Sequence, residues 1–322
     1  MCKITIATIT YNREHLLLRT IKSVLNQTFK DFEYLIINNG STDNTQSLID
    51  QYCELDKRIC VISYALNRRD PESSRNRYKL ILANEAAPYF MLIDDDDFME
   101  PGTVETLFQL ITQYDADAAS VGSLYVFPDG STKKKYVFDG TYIFSRTETM
   151  VELLKREKFN ASIGGKIFRK ETLKDFTFPQ VEISRDIHSG YRRMNNIRRM
   201  VVTGEPLFYF YRHDNNVSGL DTAKEITPAK MRQHLEANAI RTEWLTEHMP
   251  EIKDFVFYCE LSFMISLYER IRRLDVQPCF EIAHEMKDAL SRYSTFLSGC
   301  GFCTEREKEI LNSMQIDINS NG

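Results

Sequence analysis

The sequence predicts an α/β fold built on a mostly parallel, doubly wound central sheet, with a helical region after it. Three observations carry this. Short apolar runs alternate with helix-patterned stretches through the first third of the chain, as they do in βαβ units. Two of those runs end in polar segments, Asn38-Asn39-Gly40-Ser41 and Asp94-Asp95-Asp96-Asp97. In a doubly wound sheet such segments lie beyond the carboxyl ends of the strands, where ligands bind. After Ser218 the pattern becomes mainly helical, with few glycines.

The elements follow in order. Ile4 to Ile9 reads as a strand, and Glu14 to Gln27 as a helix with Leu17, Ile21, Val24 and Leu25 at helical spacing. Phe32 to Ile37 is the second strand, closed by the turn at Asn38 to Ser41. Thr45 to Cys53 reads as a helix, Ile59 to Ser63 as a strand, Arg75 to Ala86 as a helix and Tyr89 to Ile93 as a buried strand. Thr103 to Tyr114 is helical, and Ala118 to Phe127 is a strand ending at Pro128-Asp129-Gly130, before Lys133-Lys134-Lys135. Met150 to Lys158 and Ile187 to Asn195 read as helices, and Arg199 to Thr203 and Leu207 to Tyr211 as two strands. Thr227 caps and Pro228 opens the next helix. The expected division is a catalytic domain over 1–221, with halves near 1–101 and 102–221, and a helical region over 222–322.

Bulk properties narrow the class. Apolar residues make up 43% and charged residues 27% of the 322, enough to bury a core and too balanced for global disorder. The net charge of -5 argues against nucleic acid as a partner. No apolar run reaches the roughly 20 residues of a membrane span, and Met1 to Ile6 leads into a strand rather than a signal peptide. Seven cysteines without framework spacing fit reduced thiols, so a cytoplasmic protein is expected, with at most a peripheral contact at the inner face of the membrane. Cys300 and Cys303 form a lone CxxC with no further zinc ligands nearby.

Four consecutive aspartates after a buried strand repel one another unless a cation or hydrogen-bond donors compensate. One reading is an acidic turn capping the helix that follows Glu100-Pro101. The other is a site for a hard cation, Mn²⁺ or Mg²⁺, of the kind that bridges a diphosphate.

Several linked motifs resemble those of family 2 glycosyltransferases with the GT-A fold. They are Ile4 to Arg13, Ile21 to Thr28, Phe32 to Asp43, the pair Arg75-Asn76, and Asp94 to Asp97. The resemblance spans roughly residues 1 to 220 and implies transfer of a sugar from a nucleotide-sugar to a glycan or lipid-linked saccharide hydroxyl, with inversion. It places Thr8, Thr10, Tyr11 and Asn12 in the wall of a nucleotide pocket, Asp94 and Asp95 at the donor, and Asp96 on the metal with Asp97 in support. The family's base-contacting turn usually reads Asp-Asp-Gly-Ser. Here it reads Asn38-Asn39-Gly40-Ser41, and Asn39 can accept from uracil through its amide oxygen, without charge. Arg75 is placed to pair with the diphosphate.

The resemblance also implies a catalytic base downstream. In Phe178 to His188 this is Asp186, with Glu182 next; a helix N-terminus there favours an ionised carboxylate. A helix cap is the alternative role for Asp186. Ser162 to Arg169, containing Gly165 and Lys166, resembles the acceptor-side strand. Tyr209 to His213 resembles the closing strand, with His213 completing the metal site and Arg212 beside it. Arg192, Arg193, Arg198 and Arg199 read first as a solvated basic cluster and second as a contact for anionic lipid. Apolar stripes in the C-terminal helices, such as Phe255, Cys259, Phe263 and Leu267, serve packing on the catalytic domain or on a second copy of the chain. Two other classes stay open: a nucleotidyltransferase, although Ala7 to Arg13 holds no glycine-rich phosphate loop, and a non-catalytic nucleotide-sugar or glycan-binding module.

Overall fold

In the computed structural model of this chain, residues 2–67, 79–83, 87–173, 185–213 and 223–316 are described, with the backbone alone for 185–188. Strand β1 (Ile4–Thr10) is buried along almost its whole length. Such a strand has cover on both faces and therefore reads as a continuous apolar run. It pairs in parallel with β2 (Phe32–Asn38) on one side and β4 (Tyr89–Leu92) on the other, and β2 pairs in parallel with β3 (Ile59–Ser63). Helix α1 (Leu17–Leu25) buries Leu17, Thr20, Ile21 and Val24, and α2 (Thr45–Leu55) buries Thr45 and Ile49.

Past β4 the sheet becomes mixed. β9 (Lys166–Arg169) lies antiparallel between β4 and β6 (Ala118–Val126). β10 (Arg199–Tyr211) runs parallel to β6, and β5 (Phe98–Met99) lies antiparallel against its far end. Short β7 (Thr132–Lys134) pairs with β6, and β8 (Thr141–Ser145) with the start of β10. Among the described residues the order is β3-β2-β1-β4-β9-β6-β10-β5. All the long strands of this path except β9 run the same way, so the ends of β1, β2, β4 and β10 reach one edge. The core beneath joins Ile6, Tyr34, Ile36 and Met91 to Leu107 and Ile111 of α3 (Thr103–Gln113).

Three elements differ from the sequence reading. The two strands expected around Arg199 and Leu207 are one strand with register shifts at Pro206. Gly204 and Pro206 look like a break, but proline is tolerated at a bulge, and a Cβ on Gly204 would collide with the Phe138 backbone. The helix expected from Met150 is α4 (Arg146–Lys155), which starts earlier because Ser145 and Glu148 form a capping box. α1 begins at Leu17, three residues after Glu14, because the backbone N–H groups of Arg13 and Glu14 donate to Thr45 and Asp43. The helix expected over 75–86 falls largely outside the described residues.

By internal contacts the chain forms two compact units, Met1–Glu182 with Ser189–Asn215, and Ile183–His188 with Asn216–Gly322. The second unit contains α6 (Pro228–His248), α7 (Lys253–Arg273), α8 (Phe280–Arg292), α9 (Ser294–Gly299) and α10 (Glu305–Ser313). Thr227 caps α6 by accepting from the Lys230 N–H at 3.3 Å, with Pro228 in the first turn. Its apolar stripes are used internally: Leu267 and Ile271 pack with Met231, Ile282 and Met286, while Leu261 and Ile265 pack with Leu290, Leu311 and Met314. Cys300 and Cys303 are free thiols. Burial, with Glu307 and Cys300 nearby, pushes Cys303 up to about 11, which disfavours a reactive thiolate. Among the described residues no helix is long and apolar enough to cross a membrane.

The basic cluster is largely consumed by the protein. Buried Arg193 donates to the Ala161 carbonyl at 2.6 Å, and Arg199 donates to the Tyr114 carbonyl at 2.7 Å. Arg198 grips the buried carboxylate of Asp117 through Nη2 at 2.7 Å and Nε at 3.0 Å, and its N–H adds a bond at 2.7 Å. These bonds hold the Asp117 carboxyl below its ordinary range despite burial. Asp117→Asn is expected to cost about 1–2 kcal/mol, because solvent at the guanidinium end screens the pair. In urea unfolding the midpoint falls with the slope unchanged. A folded-state pKa below the unfolded value of about 3.9 means the contribution is complete above that pH and is lost as pH falls through the folded value. The gap between wild type and variant therefore closes in acid.

Candidate active site at the strand ends

Residues Asp94 to Asp97 leave the end of β4, and their backbone is pinned from several sides. The Ile93 N–H donates to the Ala7 carbonyl, and the Thr8 hydroxyl donates to the Ile93 carbonyl, both at 3.0 Å. Thr8 is fully buried, with its hydroxyl also 3.0 Å from the Tyr34 hydroxyl. This corrects the expectation that Thr8 lines the pocket: it anchors the acidic loop from behind. Helix α1 holds the other end. Arg19 Nη2 donates to the Asp96 carbonyl at 2.8 Å, and the Thr20 hydroxyl to the Asp97 carbonyl at 2.7 Å. The Arg19 guanidinium lies 4.3 Å from the ring centre of Phe98 and 4.1 Å from that of Tyr211. One cation thus ties α1, the acidic loop and the end of β10 together.

The end of β10 reaches the same loop. The Tyr211 N–H donates to Asp97 Oδ1 at 3.0 Å, and His213 Nε2 lies 2.9 Å from Asp96 Oδ2. His213 and Asp96 are thereby brought together as a two-donor pair, 14% and 15% exposed, accessible and yet shielded. The four aspartates are not equivalent. Asp94 is exposed and Asp97 is buried. Burial, then the charges of Asp94 and Asp96, raises the Asp97 carboxyl well above its ordinary value. Asp95 is pushed up to about 6, chiefly by burial, although Thr10, the Tyr11 N–H and Arg13 oppose this. Arg13 Nε stands 3.4 Å from Asp95 Oδ1. Burial is the first cause of both shifts, and neighbouring carboxylates add to it.

A carboxylate oxygen beside an imidazole nitrogen suits Mn²⁺ and, less well, Mg²⁺. Among the described residues no three His, Cys, Asp or Glu side chains converge closely enough to hold an ion alone. The pair fits a metal that takes its remaining oxygens from a ligand and water, as magnesium sites on phosphates do.

Next to the loop is a cleft of about 290 Å³ lined by Ile9, Thr10, Tyr11, Asn12, Arg13, Asn39 and Asp95. Five residues expected at the nucleotide, Thr10, Tyr11, Asn12, Asn39 and Asp95, meet in it. Asn12 joins the ends of β1 and β2: its side-chain oxygen accepts from the Thr42 N–H at 2.8 Å, and its own N–H donates to Ser41 Oγ at 3.0 Å. Its φ of 52° is one that asparagine tolerates better than most residues. Asn39 donates through Nδ2 to Asn67 Oδ1 at 2.7 Å.

Just before β9, Gly165 has φ 70° and packs on the Phe208 ring, a place that requires glycine. Lys166 is buried and donates to the Ser162 carbonyl at 2.7 Å. This corrects its placement among the ligand-facing residues: the ammonium staples its own loop. The Arg212 guanidinium lies 4.5 Å over the Tyr125 ring. Asp186 is in the first turn of α5 (Arg185–Asn195). Its side chain, like Glu182 and Arg75, falls outside the described residues.

The sequence reading did not single out Arg13, Arg19, Thr20 or Tyr211. Arg13 lies inside the recognised N-terminal stretch and was within reach of a closer reading. Arg19 and Thr20 bond across 77 positions, a relation that no local pattern signals. Arg19→Ala is expected to weaken Mn²⁺ binding on the order of 10- to 100-fold, as loss of a metal site's supporting contacts does. Manganese EPR titration checks this, and a retained affinity would reduce Arg19 to a packing residue.

Comparison with known proteins gives the family and the fold. The model of Glycosyl transferase family 2 matches residues 5–177, more than half of the chain. Over 233 residues the chain is 26% identical to Glycosyltransferase GlyA of Streptococcus pneumoniae, a match that covers 69% of this chain and 32% of that protein. Over 181 residues it is 27% identical to the GalNAc(5)-diNAcBac-PP-undecaprenol beta-1,3-glucosyltransferase of Campylobacter jejuni, covering 55% of each. The chain thus spans about a third to a half of the length of these two relatives. The fold resembles that of S. aureus TarS 1-349 in complex with UDP-GlcNAc, with a TM-score of 0.64, 16% identity, and coverage of 98% of this chain and 89% of that one.

Proposed function

The chain belongs to glycosyl transferase family 2, and from that premise we propose that it moves a sugar from a nucleotide-sugar to the hydroxyl of a glycan or lipid-linked saccharide. The observation that carries the proposal is the convergence of Thr10, Tyr11, Asn12, Asn39 and Asp95 on one cleft, beside the Asp96–His213 pair. UDP is the favoured carrier. Asn39 can accept from the uracil N3–H, and the UDP-GlcNAc complex of TarS, which shares this fold, supports the same choice. The pairing of Asp96 with His213 supports a Mn²⁺- or Mg²⁺-dependent enzyme.

The residues divide the work. Thr10, Tyr11, Asn12 and Asn39 seat the nucleoside, and Arg13 holds Asp95 in place. Asp96 and His213 hold the ion, and Asp94 contacts the ribose or a neighbouring donor group. Arg19 and Thr20 fix the loop. When bound, the ion supplies positive charge to the departing nucleoside diphosphate. Asp186 takes the proton from the acceptor hydroxyl as that oxygen attacks the sugar carbon from the face opposite the leaving group, which inverts the centre.

Binding tests the donor half. Calorimetric titration with UDP, GDP and dTDP, each with Mn²⁺ and with EDTA, is expected to show one preferred nucleotide whose affinity depends on the metal. Mn²⁺ alone is expected to bind weakly, because the described residues offer a pair of ligands. Tight metal binding without nucleotide, or equal affinity for all three, contradicts the assignment.

A further inference from the structure

A column of planar groups leads along one face of the sheet to the Asp96–His213 pair. Its base is Tyr209 of β10. The Tyr209 ring stacks on Phe98 of β5, with ring centres 4.7 Å apart and planes 11° from parallel. The Arg19 guanidinium lies 4.3 Å from the Phe98 ring centre and 4.1 Å from that of Tyr211. The Tyr211 ring in turn lies 5.8 Å from the His213 ring. The backbone sets this order. Tyr209 and Phe98 are register partners in antiparallel strands, and Tyr211 follows Tyr209 by two residues, so all three side chains share a face.

Both ends of the column are fixed. At the base the Tyr209 hydroxyl donates to Glu100 Oε1 at 2.6 Å. Glu100 is itself held by two elements: its N–H donates to the Leu207 carbonyl at 2.9 Å, and its carbonyl accepts from Gln27 Nε2 of α1 at 2.7 Å. At the other end His213 Nε2 meets Asp96 Oδ2 at 2.9 Å, and Arg19 donates to the Asp96 carbonyl at 2.8 Å. Phe98 directly follows Asp97, so a tilt of its ring shifts the backbone that carries Asp96. Stacked rings and a cation held on ring faces resist such tilting. Ligands of an ion need their donors held to within roughly half an ångström. Neither Tyr209 nor Phe98 lines the cleft beside the acidic loop, so their effect on the site passes through Arg19 and the loop backbone.

We propose that Tyr209 is a positioning residue for the ion site, acting through Phe98 and Arg19 to hold Asp96 and His213 at ligating distance. This rests on the reading of Asp96 and His213 as the ligands of the ion.

The test is a Mn²⁺ titration followed by EPR, with UDP present. It compares wild type, Tyr209→Leu, Tyr209→Phe, Arg19→Ala, the double variant of Tyr209→Leu with Arg19→Ala, and Asp117→Asn. UDP affinity in EDTA is expected to be equal in all six, which reports an intact nucleotide cleft. Tyr209→Leu is expected to lose Mn²⁺ affinity on the order of 10-fold, as loss of a supporting contact does. Tyr209→Phe keeps the stacked ring and recovers most of that loss. Once Arg19 is gone, Tyr209→Leu adds no more than about 2-fold, because the two act in one chain of contacts. Asp117→Asn lowers stability away from the column and keeps the wild-type Mn²⁺ affinity. Should Tyr209→Leu fail to fold, Phe98→Leu breaks the column one step further along and takes its place in the series. Wild-type Mn²⁺ affinity in the leucine variant, an equal loss in Asp117→Asn, or full additivity with Arg19→Ala overturns the proposal while the ion-site reading stands. A wild type that binds UDP without any response to Mn²⁺ overturns the ion-site reading, and the positioning role with it.

Discussion

Asp96→Ala is expected to remove the metal-dependent part of both donor binding and turnover. Asp96 is the carboxylate that meets His213 at 2.9 Å, and its backbone is held by Arg19 at 2.8 Å. Two of its loop neighbours are poor replacements. Asp97 is buried and bonded to the Tyr211 N–H, and Asp95 is engaged with Arg13. Loss of the ion removes charge stabilisation from the departing diphosphate, and the rate of donor cleavage falls on the order of 10²- to 10³-fold. The nucleoside part of the affinity remains, since Thr10, Tyr11, Asn12 and Asn39 are untouched. UDP affinity in EDTA should then be the same for variant and wild type. A variant that keeps its Mn²⁺ response would move the metal away from Asp96.

Asp186→Asn is expected to abolish transfer while leaving donor binding intact. The asparagine keeps the size of aspartate in the first turn of α5, so the helix is expected to survive. It cannot accept the proton of the acceptor hydroxyl, and removal of a positioned general base costs on the order of 10²- to 10⁴-fold. The diagnostic is a split: UDP affinity and slow donor hydrolysis persist, and glycosylation of an acceptor disappears. Full transfer by the variant would exclude Asp186 as the base and turn attention to Glu182. Loss of UDP binding would instead mark Asp186 as part of the nucleotide pocket.

The first half of the sheet was legible because its signals are local. β1, α1, β2, α2, β3 and β4 each show an apolar run or a helical stripe bounded by a turn. The position of Asn39 and of the aspartates then follows from where strands end in a doubly wound sheet. Mixed pairing past β4 was harder. Gly204 and Pro206 in β10 carry the composition of a break, and only the partner strand reveals a bulge. Local signals were also overlooked, since Ser145-Arg146-Thr147-Glu148 is a legible capping box that moves the start of α4. The candidate site divides along the same line. The family resemblance marked Thr10, Tyr11, Asn12, Asn39, Asp95, Asp96 and His213. Burial, which sequence order does not encode, is what assigns Thr8 and Lys166 to holding backbone. The double stack of Arg19 on Phe98 and Tyr211 joins three elements far apart in sequence and becomes visible only in the assembled sheet.

Which bond of the donor breaks decides the function. The direct measurement is product identity: UDP-, GDP- and dTDP-sugars, and in parallel UTP, GTP and dTTP with a sugar 1-phosphate, are incubated with the protein and Mn²⁺, and the released phosphate species are separated by anion-exchange chromatography. The expected result is release of a nucleoside diphosphate from one donor, stopped by EDTA and by Asp96→Ala, and accelerated by a glycan or lipid-linked acceptor. Release of pyrophosphate from a nucleoside triphosphate and sugar phosphate would contradict it and make the protein a nucleotidyltransferase. Donor binding with no cleavage under any acceptor would contradict it equally and leave a binding module.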